Sequence, residues 1–200
     1  QGKDITNASV TERVRLGIAR SFQLVNVFDD LTTFDNVALA IFSREGKTAH
    51  LGALAHRDHA VMAEADDILG QFGLAAKRDD NARDLAQGER KLLDVALAYA
   101  LKPKLLFLDE PTSGVSTRNK AQIMDTIANV VRGHGITAVI VEHDMDVVFK
   151  YSDRIVVMAQ GAVMAQGTPD EIRKNEQVAV TLLGTSGPGG FVQGSFPQKD

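Results

Sequence analysis

The run Lys104-Leu-Leu-Phe-Leu-Asp-Glu-Pro111 constrains this chain more than any other stretch. Leu105 to Leu108 are apolar without a break, the pattern of a strand buried on both faces of a parallel sheet. Asp109 and Glu110 follow at once, and Pro111 ends the strand. Ligands of open α/β sheets bind beyond the carboxyl ends of strands, so the acidic pair is expected where a ligand would sit. One carboxylate there can hold a metal ion while its neighbour handles a water molecule. A core strand that simply ends in a solvated acidic turn has the same local pattern, so the surrounding sequence has to decide.

A chain of 200 residues suits one domain, or one domain and a subdomain. Its formal net charge of −4 argues against a nucleic-acid surface. With no cysteine it has neither disulfides nor thiolate metal sites, which fits a cytoplasmic setting. No apolar run approaches the ~20 residues that span a bilayer. The start, Gln1-Gly-Lys-Asp-Ile5, is neither a signal peptide nor an initiator methionine, and the chain reads as a fragment.

Ser9-Val-Thr-Glu12 is a capping box that opens a helix to about Leu16, ended near Gly17. Ile18 to Gln23 reads as a strand, 24–35 as a loop and Asp35 to Phe42 as a helix. Ala53 to Phe72 places Val61, Met62, Ala65, Ile68, Leu69 and Phe72 on one apolar helical face, with Gly73 as terminator. His56 and His59 could share a helix face and His50 falls nearby, but no third ligand accompanies them, and they read as surface histidines.

Leu85-Ala-Gln-Gly-Glu89 opens a buried helix to about Leu101, its glycine-bearing start offering N–H groups that attract anions. After Pro111, Ser116 is expected to cap a helix whose buried face is Ile123, Ile127, Val130 and Val131. Thr137 to Val141 is a second apolar strand, followed by Glu142-His143-Asp144. Then come a helix over Met145 to Tyr151, a hairpin turning at Gln160-Gly161 and a second capping box, Thr168 to Glu171. From Gly184 onward Gly, Ser, Pro and Gln dominate, the composition of a flexible tail.

Taken in order, these features resemble the nucleotide-binding domain of an ATP-binding-cassette transporter. Gln23 in Arg20-Ser-Phe-Gln-Leu-Val matches the family's Q-loop and Leu85-Ala-Gln-Gly-Glu89 its signature motif. Leu105 to Glu110 matches Walker B, Gly114-Val-Ser116 the D-loop, and His143 the switch histidine. Ile18 to Gln23, Glu142 to Phe149 and Gly167 to Ile172 are similar to the branched-chain amino-acid importers, with urea- or amide-type importers sharing much of the pattern.

The resemblance implies an α/β, P-loop NTPase-like three-layer core with an inserted helical subdomain and its first strands missing. It divides the chain into a core remnant at 1–23, a helical subdomain at 24–101, a Walker B, D-loop and switch-histidine core at 102–184, and a tail at 185–200. It implies ATP and Mg2+ as cofactors. Glu110 would act on the attacking water and His143 on the terminal phosphate, while Asp109 and Gln23 would serve the metal. Leu85, Ala86, Gln87, Gly88, Glu89 and Ser116 would face nucleotide across a dimer interface. The implied partners are a second ATPase subunit, membrane permease subunits and, indirectly, a solute-binding protein, with no nucleic acid. The implied location is peripheral, on the cytoplasmic face of the cell membrane.

The chain departs from the family pattern at Ala86, where serine is frequent, at Gln87, where a small residue is usual, and at Ser116, where aspartate is common. No Gly-x-x-x-x-Gly-Lys-Ser/Thr loop occurs in it, so the polypeptide by itself is expected to be inactive. A non-catalytic regulatory protein on the same fold is one alternative, which retention of both Glu110 and His143 opposes. A DNA-repair or chromosome ATPase is another, but the interval between Gln23 and Leu85 lacks heptads and cysteine. A translation ATPase would carry two cassettes.

Overall fold

The computed structural model describes residue 2 and residues 4–21, 25–47 and 58–183. The chain forms two compact units, Gln1–Val141 and Glu142–Asp200.

In the first unit, α1 (Val10–Arg15) begins with the expected capping box: Ser9 Oγ accepts from the Glu12 N–H, and the Glu12 carboxylate accepts from the Ser9 N–H. It leads through Gly17 into β1 (Ile18–Arg20). Three helices follow before the next strand: α2 (Thr33–Glu45), α3 (His59–Gln71) and α4 (Gln87–Ala100). Then come β2 (Leu105–Asp109), α5 (Thr117–Gly133) and β3 (Thr137–Val141). The strands form a parallel sheet in the order β1-β2-β3, with Arg20 opposite Phe107 and Asp109 opposite Val141.

Three local expectations are corrected. Helix α2 starts earlier than Asp35 because Thr32 is its N-cap: Thr32 Oγ1 accepts from the Asp35 N–H at 3.0 Å and donates to the Asp35 carboxylate at 2.7 Å. Strand β2 is not buried on both faces. Its pleat alternates, with Leu106 and Leu108 fully buried and Leu105, Phe107 and Asp109 half-buried. A uniformly apolar run hides this alternation, because which residue is covered depends on what packs against each face. Ser116 does occupy the N-cap position of α5, but its side chain makes no capping bond. The single-turn 3-10 helices at Ala75–Lys77 and Ala82–Asp84 carry no signal that the sequence reading used.

Helices α2, α3 and α4 pack on one another. Phe34, Val37 and Ile41 meet a core that includes Val61, Ala65, Ile68, Leu69 and Leu93, all nearly inaccessible. Phe72 is buried as expected, whereas Met62 is half-buried. An ion-pair cluster closes the far side. Arg44 forks onto Glu64 at 2.6 and 2.9 Å and also donates to the carbonyl of Ala100 at 2.8 Å, satisfying the C-terminal end of α4.

The second unit has its own core. Helix α6 (Met145–Tyr151) is capped by Asp144, and β4 (Ile155–Ala159) pairs antiparallel with β5 (Ala162–Gly167). The turn between them has positive φ at both Gln160 and Gly161, as a two-residue hairpin of the primed type requires. The Thr168–Glu171 capping box starts α7 (Pro169–Arg173), and α8 (Glu176–Leu183) follows. Phe149, Ile155, Val157, Ile172 and Val178 form the core of this unit. The tail from Gly184 lies outside the described residues.

The Arg44 fork, followed by the Lys102 ammonium, holds the Glu64 carboxyl below its ordinary pKa. A carboxylate depressed in the folded state stabilises fully above its unfolded pKa, about 4.3 for glutamate. That contribution disappears as pH falls through the lower folded value. Thermal melts from neutral to acid pH should therefore fall less steeply for Glu64→Gln than for the parent, and the variant should already melt lower at neutral pH.

Candidate nucleotide-hydrolysis site

The end of β2 carries two of the candidate residues, Asp109 and Glu110. Asp109 closes the strand, and its carboxylate accepts from Arg20 Nη2 at 2.8 Å. The register explains that pair: Arg20 lies opposite Phe107, so Asp109 is its diagonal neighbour one pleat further along the same face. The pair is partly solvated and adds little stability. Its geometry leaves the Asp109 carboxylate at the carboxyl end of the central strand with a cation already on it. One such carboxylate fits the demand of Mg2+, which takes one or two carboxylates, phosphate oxygens and water. Among the described residues, no group of three or more His, Cys, Asp or Glu side chains could hold a metal by itself.

Glu110 leaves the strand with φ of +45°, a left-handed conformation that costs a non-glycine residue about 1–2 kcal/mol. Its N–H donates to the carbonyl of Val141 at 2.9 Å, and its own carbonyl accepts the Ser113 N–H at 3.0 Å. The residue after the sheet is thus tied to β3 on one side and to a turn on the other. The residue stands half-buried at the strand end.

Helix α4 brings its amino-terminal turn to the same region. Leu85 is buried and Ala86 is the N-cap. Alanine has no oxygen to cap with. Only half of the reciprocal arrangement forms, the Glu89 carboxylate accepting the Ala86 N–H at 2.8 Å. Gly88 has a packing role besides any role toward an anion, since a Cβ built there would lie 3.1 Å from Cδ1 of Ile123 on α5. Gly114 has φ of +74°, and the Gln87 amide nitrogen lies 2.8 Å from where a Cβ of Gly114 would be. The Gln87 side chain thus lies against Gly114 within one chain.

The other expected residues stand as follows. Gln23 lies outside the described residues, as do His50 and His56. Ser116 is exposed at the start of α5. His143 is exposed and belongs to the second unit, ahead of the capping residue Asp144, while Glu110 belongs to the first. His59 is exposed at the start of α3.

Sequence reasoning missed the polar groups buried inside α4. Lys91 and Asp94 are 3% and 6% exposed on a helix that reads as apolar. Lys91 Nζ lies 3.4 Å from the carbonyl oxygen of Glu110, and Asp94 Oδ1 accepts the Asn26 N–H at 3.3 Å. The i, i+3 spacing of a cation and an anion on a buried helix is the signal that could have found them. Asn36 was missed as well. Buried on α2, it accepts the Phe28 N–H at 2.8 Å and donates to the Phe28 carbonyl at 3.0 Å, which clamps the loop beyond Gln23.

Comparison with known proteins identifies the family and the fold. Residues 1–113 match the family described as ABC transporter. The high-affinity branched-chain amino acid transport ATP-binding protein LivG of Salmonella typhimurium is 33% identical over 178 residues, covering 85% of this chain and 69% of that protein. A probable LivG of Archaeoglobus fulgidus is 34% identical over 186 residues, covering 92% and 72%. A solved ATP-binding cassette of an ABC transporter superposes with a TM-score of 0.76 at 28% identity, covering 92% of this chain and 74% of its own.

The contact at Gly88 is open to measurement. Gly88→Ala pushes a methyl group against Ile123, and Ile123→Val removes the atom it meets. Urea denaturation of the two single variants and the double should give a favourable coupling of about 1 kcal/mol.

Proposed function

The chain belongs to the ABC transporter family, and from that premise we propose that it is the ATP-hydrolysing subunit of an importer for branched-chain amino acids. The observation that carries this is the left-handed Glu110 at the end of β2, next to Asp109 and with its carbonyl met by Lys91 of α4. The LivG relatives, by their names, point to branched-chain amino acids as the solute class. An importer of urea or amides on the same scaffold is the alternative solute reading. A non-catalytic regulatory role is disfavoured by the strained Glu110, which a retired site has no reason to maintain.

In this reading 24–101 is the helical subdomain, and 102–184 holds the catalytic strand end and the switch histidine. Mg2+ bound with ATP would supply charge neutralisation of the phosphates, with Asp109 and Gln23 as its protein ligands. Glu110 orients the attacking water and accepts its proton. His143 holds the terminal phosphate oxygens in line, and positioning with charge stabilisation does most of the remaining work. Leu85, Ala86, Gln87, Gly88, Glu89 and Ser116 meet the nucleotide held by a second ATPase subunit. Ala86 brings no hydroxyl, so backbone N–H groups carry that contact.

The same reading gives the chain permease partners and a peripheral place on the cytoplasmic membrane face. No described helix is long and apolar enough to cross a membrane. Phe28, 60% exposed, and Leu31 project from the loop that Asn36 clamps, and they are the apolar contacts this loop would offer a membrane subunit. A solute-binding protein enters only through that permease.

Two outcomes test the proposal. The polypeptide lacks the Gly-x-x-x-x-Gly-Lys-Ser/Thr cradle, so calorimetry on these 200 residues should detect no micromolar ATP binding, and no hydrolysis should be measurable. In a chimera with the phosphate-binding segment of a LivG relative placed ahead of Gln1, turnover should return, and Glu110→Gln should lower kcat by about 100-fold or more. A Glu110→Gln chimera as fast as its parent refutes the assignment of the base.

A further inference from the structure

Helix α4 is buried along most of its length, yet it carries Gln87, Lys91 and Asp94 at i, i+4 and i+7, the spacing of a single helical stripe. The stripe enters from solvent at Gln87 and is buried at Lys91 and Asp94. Buried ions are costly without partners, so what these side chains meet is informative. They meet two segments, the 110–114 turn and the stretch at Asn26. Gln87 lies on Gly114, Lys91 Nζ reaches the Glu110 carbonyl at 3.4 Å, and Asp94 takes the Asn26 N–H at 3.3 Å. Arg90, one residue off the stripe, adds a 2.7 Å bond to Asp29 in the segment that Asp94 holds.

We infer that this stripe is a positioning device: Lys91 and Asp94 lock the Glu110 turn and the segment beyond Gln23 to the helix that bears the 85–89 turn. The inference rests on the catalytic reading of Glu110 above. Its physical basis is local. The Glu110 carbonyl already accepts the Ser113 N–H, and an ammonium beside the same oxygen fixes the peptide plane that sets where the Glu110 side chain points. Asp94 does the corresponding work for Asn26, three residues beyond Gln23. A helix is stiff, so any shift of its 85–89 end is delivered to both segments together. Neither Lys91 nor Asp94 need touch nucleotide or water for this, and both are positioning residues rather than catalytic ones.

Hydrogen exchange on the chain as it stands reads the device directly. Lys91→Met keeps the length of the side chain and removes its charge, and replacing a buried ion with an apolar group is often neutral for global stability. Exchange across 109–116 should speed by about tenfold, the loss of one charge-assisted bond, while α3 keeps its protection. Lys91→Arg, which retains the cation, should restore most of that protection. Asp94→Leu should do the same to 25–31, and Asp94→Asn, which keeps an acceptor, should not. If Lys91→Met does not fold, Lys91→Gln carries the same expectation. Unchanged exchange at 109–116, or an equal rise throughout Gln1–Val141, overturns the inference.

In the chimera, Lys91→Met should lower kcat by about tenfold with KM for ATP unaltered. A chimera slowed by Glu110→Gln and not by Lys91→Met sinks this inference alone. One slowed by neither sinks the catalytic reading beneath it.

Discussion

The seating of α4 against the end of β2 is the constraint on which the rest of the first unit depends. A buried lysine and a buried aspartate one turn apart have to find polar partners, because leaving either unsatisfied inside the core would cost several kcal/mol. Their partners include the Glu110 carbonyl and the Asn26 N–H. Those bonds oppose rotation of the helix about its axis, alongside the apolar packing of Leu92, Leu93 and Val95. With the rotation set, Gly88 falls against Ile123 and Gln87 against Gly114, and the 85–89 turn has one place to be.

The strand end shows how backbone strain can be maintained. Glu110 is one of three non-glycine residues with positive φ among the described residues, the others being Lys102 and Gln160. Gln160 belongs to a hairpin turn that asks for that conformation. Glu110 has no such turn to justify it. It is held there by its N–H on Val141 of β3 and its carbonyl on Ser113, with Lys91 behind the same carbonyl. Strain kept by that many bonds places a carboxylate at a defined point beyond the sheet, which a general base requires and a merely solvated turn does not.

The loop beyond Gln23 joins this framework from the other side. Asn36 clamps Phe28, Asp94 holds Asn26, and the Ala82 and Arg83 N–H groups donate to the Leu31 and Asp29 carbonyls. A segment tied to α2, to α4 and to the 3-10 turn ahead of the 85–89 motif can present an exposed phenylalanine without collapsing around it. The same ties join the Phe28 segment by hydrogen bonds to the helix whose Lys91 meets the Glu110 carbonyl.

Much of this is legible in the sequence. Both capping boxes, the ranges of β3 and α6, the Gln160-Gly161 turn and the apolar face of α3 follow from local rules: side-chain oxygens within reach of their own backbone, and periodicities set by backbone geometry. The family, too, was written in the order of short motifs, because each motif is a stretch of contiguous backbone meeting one chemical demand. What the sequence did not hold was which apolar residues of β2 are fully covered, that Arg20 lies on Asp109, and that Lys91 and Asp94 are buried. Those depend on neighbours 19 to 89 residues away: 19 between Lys91 and Glu110, 68 between Asn26 and Asp94, and 89 between Arg20 and Asp109. A lysine or an aspartate on a helix looks solvated until the fold brings a carbonyl or an N–H to it. Local chemistry thus determined the elements and the motifs, and only the tertiary structure decided which charges would be taken out of water to hold them in place.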